Sequence, residues 1–270
     1  MSKIISKIMS KSKSQKSQGT LFTRKTFQYF DAAKKNKFKK GGVEKNREFY
    51  DEAGKEPFTI LLNEIDERLG SRLPGVQISP RKISRPVRPE AKARENGWVK
   101  AGAMFFLQEK TTSQFEWNPG LYLHLGDEKD DNVIGMGLYG PSSRQIRRLR
   151  TAFREELDTV DELLADRRFK KLWGAPADEK YVRLPKEFPL SDPAVKYLVY
   201  KQFYVRQQFT RKEVTSKGFP DLVIRHFEAG APFLNWLRAA VGVFDRKEYE
   251  RERRERAAQR DEFADVAPNF

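Results

Sequence analysis

A chain of 270 residues with 38% hydrophobic content can bury one sizeable core, and none of its apolar runs approaches a membrane span. It has no cysteine, which excludes disulfides, thiol nucleophiles and cysteine-zinc sites, and its two histidines, His124 and His226, disfavour a His-rich metal site. The net charge of +15 is unevenly spread: residues 1–47 hold 14 Lys and Arg against Asp31 and Glu44, hence +12, and the remaining 39 basic and 36 acidic residues leave only +3.

The first 20 residues form a Lys/Ser/Gln tract without acids and with few apolar residues, the composition of a flexible arm. Such an arm is either a solvated tail or a contact for nucleic-acid backbone or anionic membrane. From Leu21, Phe22, Phe27, Phe30 and Ala33 recur at helical intervals, and a lysine cluster from Lys34 to Gly42 suits a last helical turn. A second helix is predicted from Val43, interrupted near Gly54 and Pro57, and a third carries Phe58, Leu61, Leu62, Ile65 and Leu69.

Strands are predicted at Val76–Ser79, Ile83–Val87, Ala101–Leu107, Leu121–Leu125 and Val133–Tyr139, with residues 126–132 as a polar hairpin tip lacking calcium-loop spacing. If the last two strands pair with their apolar faces together, Tyr122 and His124 share the opposite face with Gly135 and Gly137. Interior glycines mark a close approach to the backbone, either by a ligand or by a helix of the protein itself. Gly140-Pro141-Ser142-Ser143 then opens a helix whose stripe runs through Ile146, Leu149, Phe153, Leu157, Val160 and Leu164.

Further on, Phe169, Leu172 and Trp173 end the helical region, Ser191 or Asp192 begins a helix lined by Val195, Leu198 and Val199, and Phe203–Phe209 reads as a strand. Residues 222–243 read as a helix broken near Gly230 and Pro232, with His226 on core or surface duty. Residues 245–261 alternate Arg and Glu without an apolar stripe, which describes a solvated charged helix. The fold class that follows is α+β: one domain over residues 21–243, a mostly antiparallel sheet flanked by N-terminal and C-terminal helices, with a charged helix and tail over 244–270.

The order of these signals, with Arg85-x-x-Arg88, Tyr122-x-His124, Gly135-x-Gly137-x-Tyr139-Gly140-Pro141, Arg150, Leu184-Pro-x-x-Phe188 and Lys201-x-Phe203, resembles the uncharacterised bacterial and fungal family known as domain of unknown function 2461. That family's hallmark, Arg-x-x-Arg-Asp-x-Arg-Phe followed by Asp-Lys and Tyr-Lys, falls on Arg85, Arg88, Pro89, Ala91, Lys92, Glu95, Asn96, Val99 and Lys100. The two leading arginines and the final lysine are kept, and Glu95 replaces the acid. The resemblance spans Leu21 to Val241 and implies a charged site that this chain has partly lost.

Arg85, Arg88, Lys100 and Arg150 would make a cationic cluster suited to phosphate or carboxylate, with Lys201 as a further charge; the competing fate is pairing with acids of the balanced body. Strand parity favours Arg85 over Arg88 for a ligand. There is no phosphate loop, dinucleotide fingerprint, nucleophile elbow or HExxH, so neither cofactor nor metal is expected. Three functions remain open for what reads as a soluble, cytoplasmic protein. It binds a phosphate-bearing or other anionic ligand at Arg85, Arg88, Lys100, Tyr122, His124, Gly135, Gly137, Arg150 and Lys201; it is an enzyme on such a ligand, with His124 as acid/base and Tyr122 positioning; or it contacts nucleic acid through the arm.

Overall fold

The computed structural model describes residues 20–36, 46–109, 118–127, 131–177, 179–181 and 188–242, and only the backbone of residues 36 and 94–96. Nearly all of the basic arm, most of the lysine cluster after Lys35, the middle of the 126–132 hairpin tip, the start of the Leu184 motif and the charged 244–270 region lie outside the described residues.

The sheet has four antiparallel strands in sequential order: β1 (Gly102–Gln108), β2 (Gly120–Gly126), β3 (Val133–Leu138) and β4 (Phe203–Gln208). Their period-two pattern separates two faces. Phe105, Leu123, Ile134 and Val205 are fully buried on one face, while Met104, Tyr122, His124 and Tyr204 are half-buried on the other. Together with the helices before and after the sheet, this is the α+β domain expected from the sequence.

Helices cover the apolar face. The first, α1 (Arg24–Asn36), and the run formed by α2 (Arg47–Tyr50), a π-helical segment (Asp51–Lys55) and α3 (Glu56–Leu69) reach the sheet through edge-to-face rings: Phe22 on Phe58 at 5.2 Å, and Phe58 on Phe105 at 6.0 Å. The interruption predicted at Gly54 and Pro57 is therefore absent. Gly54 sits inside the π-helical segment against the Tyr50 ring, and Pro57, which has no amide hydrogen to donate, follows directly in the first turn of α3 without breaking the run.

Two other predicted strands are only isolated bridges, Val76 to Glu109, and Ile83 to Phe105 with Val87 to Val99. Ser79 caps a 3-10 turn (Pro80–Lys82), and Pro86 has no amide hydrogen, so neither segment completes a ladder. After α4 (Glu90–Asn96) and the strands, the predicted long helix is three: α5 (Ser143–Glu155), α6 (Leu157–Ala165) and α7 (Arg167–Trp173). The second break has a local cause: the Asp166 carboxylate accepts from the Phe169 amide at 2.8 Å and starts a new helix. Of the two serines expected at this helix entry, Ser142 is the cap, completed by Gln145 into a reciprocal capping box.

A short helix, α8 (Val195–Leu198), precedes β4, leaving Lys201 outside any helix. Then α9 (Arg211–Val214) leads into α10 (Phe219–Val241), which continues through Pro232 unbroken. Burial of Phe227, Phe233, Leu234 and Leu237 outweighs the single hydrogen bond that Pro232 removes. Gly230 permits the closest approach of α10 to the sheet: a Cβ there would stand 2.0 Å from Met136 Cε. His226 lies in this core, its Nδ1 2.8 Å from the Leu222 carbonyl and its ring edge-on to Trp173.

Candidate functional site

A cavity of about 490 Å³ opens where β1 begins and β2 ends. Its walls come from the end of α1 (Ala33, Lys34), the segment before α4 (Ser84, Arg88), the approach to β1 and its start (Val99 to Gly102, then Met104), β2 (His124) and the β2–β3 connection (Asp127, Asp131).

Two bare backbone positions clear this corner. Gly102 and Gly126 are cross-strand partners in the β1–β2 ladder. A Cβ on Gly102 would lie 2.9 Å from His124 Nε2 and 2.7 Å from the Leu125 carbonyl oxygen; one on Gly126 would lie 2.5 Å from Asp131 Oδ2. His124 and Asp131 thus occupy the space that side chains there would take.

The predicted glycine pair serves other ends. Gly135 stands opposite Tyr122, whose ring shields it, and a Cβ there would meet nothing nearer than the Val205 carbonyl at 3.5 Å. Gly137 has φ +130° and lets β4 close in: a Cβ would lie 2.5 Å from both Phe203 O and Tyr204 Cα. Neither lines the cavity. The close approach that the sequence implied is made by the protein's own strand at Gly137, whereas at Gly135 the Tyr122 ring stays at ordinary contact distance.

Lys34, in the last turn of α1 as its dipole favours, also pairs with the nearly buried carboxylate of Asp127 at 2.7 Å. Arg211 of α9 fixes the same corner, holding Asp31 of α1 at 2.8 Å while it donates to the Asp127 carbonyl. Arg88 faces inward, its Nη1 donating to the carbonyls of Gly97 (3.1 Å) and Val99 (2.5 Å), which shapes the segment that carries Lys100. Arg85 is exposed and off the cavity wall, so the parity argument that favoured it over Arg88 does not survive the bridged, proline-interrupted course of this segment.

Lys100 is half-buried, and burial, then the Arg88 and Lys92 charges, hold its pKa below the usual lysine range. Burial also lowers the His124 pKa, with Lys100 acting the same way, while Asp131, Asp127 and a hydrogen bond to the Asp131 backbone oppose it. The imidazole is consequently neutral at pH 7. Tyr122 lies beside His124, ring centroids 6.3 Å apart; burial, reinforced by Asp131 and Tyr139, pushes its pKa to about 12, so the phenol keeps its proton.

The expected cationic cluster is divided. Arg88 and Lys100 share the cavity with His124, whereas Arg150 and Lys201 meet elsewhere, around the Tyr181 ring. Sequence reading missed Asp127 and Asp131 because a run of acids in a loop reads as a solvated tip; the signal that could have found them is Gly126 immediately before that loop and Gly102 at its cross-strand partner. No group of three or more His, Asp or Glu able to hold a metal ion occurs among the described residues.

The family model described as conserved hypothetical protein (DUF2461) matches residues 25–236. The chain belongs to the DUF2461 family. The DUF2461 match runs from α1 to the last turns of α10 and so takes in every element that forms the cavity. No curated protein and no solved structure was found to match. Among the described residues of this DUF2461 member, no helix is long and apolar enough to cross a membrane.

Proposed function

We propose that the chain binds a small molecule by an anionic group, phosphate or carboxylate, in the cavity at the β1–β2 corner. Lys100 carries this proposal: its ammonium is half-buried on the cavity wall, and no acid among the described residues forms an ion pair with it. A cation kept where burial and like charges disfavour it is compensated when an anion arrives, and this is a common signature of a binding site. On the far wall, Asp131 and neutral His124 offer acceptors for hydroxyl or amino groups of the same ligand.

A second proposal rests on His124 itself. A neutral imidazole that feels both the Lys100 ammonium and the Asp131 carboxylate is in the form that accepts a proton, which suits acid/base chemistry on the bound anion. Tyr122 would then act from beside His124, outside the cavity wall.

A thermal-stability screen of phosphorylated and carboxylated small molecules at matched ionic strength tests the binding proposal. A ligand at a hundred times its Kd adds about 2.7 kcal/mol of stability. The expected hit stabilises the wild type and Arg85→Ala alike and fails with Lys100→Met; equal stabilisation of Lys100→Met would remove the basis for this site.

A further inference from the structure

Arg150, on α5, is 8% exposed. Its Cζ lies 5.4 Å from the ring centroids of both Tyr181 and Phe188, and its Nε donates to the Leu198 carbonyl at 3.3 Å. Aromatic faces and one carbonyl are partial compensation for a guanidinium this deeply placed. No carboxylate among the described residues pairs with it. One helical turn further on, exposed Arg154 lies over the same Phe188 ring at 5.9 Å and does receive an acid, Asp192, at 2.9 Å. Among the described residues, then, the accessible arginine has a carboxylate partner and the buried one has none.

A second cation stands at the same ring. Lys201 is exposed, and its Nζ is 5.6 Å from the Tyr181 centroid. Tyr181 and Lys201 are fixed relative to one another by a short antiparallel pairing, in which the Tyr181 amide donates to the Val199 carbonyl (2.7 Å) and the Lys201 amide to the Glu179 carbonyl (2.9 Å). Tyr181 itself is 40% exposed, so the ring that both cations contact is open to a visitor.

We infer that Arg150 and Lys201, which both contact the Tyr181 ring, form a second anion site, separate from the cavity beside Lys100, and that it takes a phosphate monoester. Two cations with no carboxylate partner among the described residues match the charge of about −1.5 to −2 on such a group, whereas a carboxylate would neutralise only one. With Nε engaged by Leu198, the guanidinium still offers its terminal N–H groups for a charge-assisted contact to phosphate oxygens.

The test is a calorimetric titration of the full chain in the Lys100→Met background, which removes the cation of the other proposed site. Phenyl phosphate and glycerol phosphate are the monoester probes, a short phosphoserine peptide is a third arm, and benzoate at equal ionic strength is the monoanion control. Saturable monoester binding is expected, with weak or no response to benzoate. The phosphoserine arm tells a phosphorylated side chain from a phosphorylated metabolite. Lys201→Ala, a surface change that leaves the fold intact, should weaken binding at least fivefold, and Arg150→Lys, which keeps the charge but loses the fork, should weaken it further. Undiminished binding by Lys201→Ala, benzoate binding as tight as phenyl phosphate, or no monoester binding at all would each overturn the site.

Discussion

Three glycine-to-alanine changes separate a glycine that makes room from one that does not. At Gly135 an added methyl would meet only ordinary contacts, 3.5 Å to Val205 O and 3.7 Å to the Tyr122 ring. Gly135→Ala should therefore stabilise the protein by about 0.4–1 kcal/mol, because the unfolded chain loses freedom and the strand gains a side chain. At Gly102 the methyl would stand 2.7 Å from a backbone oxygen and 2.9 Å from His124 Nε2, and strand backbone cannot yield as a flexible side chain can. Overpacking of this kind costs about 1–3 kcal/mol. Gly137→Ala adds a backbone strained at φ +130° to two 2.5 Å approaches, and should cost at least as much as Gly102→Ala. Urea unfolding reads all three as shifts in midpoint at constant slope. A loss of stability at Gly135 equal to that at Gly102 would refute this assignment and return the close approach to the Tyr122 face.

Stability should also fall on mild acidification. Burial lowers the folded-state pKa of both His124 and His226 below the ordinary 6.5, so the stability tied to their neutral forms is complete above about pH 6.5 and lost as pH drops through the folded values, where the unfolded chain already holds the protons. Unfolding midpoints between pH 7.5 and 5 should show this slope, and a His124→Gln, His226→Gln double variant should flatten it. Trp173→Phe deletes the hydrogen bond from Nε1 to the His226 carbonyl at 2.8 Å and also removes part of a fully buried bicyclic ring, so the loss read in urea should exceed the roughly 1 kcal/mol of the hydrogen bond alone. Asp127→Asn removes the charge that Lys34 pairs with; since Lys34 is 56% exposed, the loss should stay within about 1 kcal/mol and vanish at high salt, as a salt titration of the two unfolding midpoints would reveal.

Much of the scaffold was legible because local rules agreed with the tertiary ones. The alternation through Val133–Leu138, the Gly140 corner and the Ser142 cap each act over a few residues, and the structure keeps all three. The predicted breaks at Gly54 and Pro232 failed for the opposite reason: both residues weaken a helix locally, but Gly54 fits beneath the Tyr50 ring and Pro232 lies in a helix whose apolar stripe is fully buried. The site was legible in parts. Lys100, Arg88 and His124 were singled out and do share a cavity, yet the glycines that clear it, Gly102 and Gly126, become a pair only through the β1–β2 register, which the sequence does not state. Arg150 and Lys201 were assigned to the same cluster because charge type carries no address; the Tyr181–Val199 pairing that draws them together elsewhere joins short irregular segments with no periodic signal.

The most direct measurement of whether Lys100 and His124 face one ligand is the titration of the His124 imidazole by NMR, with and without the anion identified in the stability screen. In the free protein His124 should titrate below 6.5, and an anion held by Lys100 should raise that pKa, since it offsets the ammonium that disfavours the imidazolium. The same addition should leave His124 of Lys100→Met unmoved. An imidazole that titrates identically with and without a saturating anion in the wild type would contradict a shared site at the β1–β2 corner.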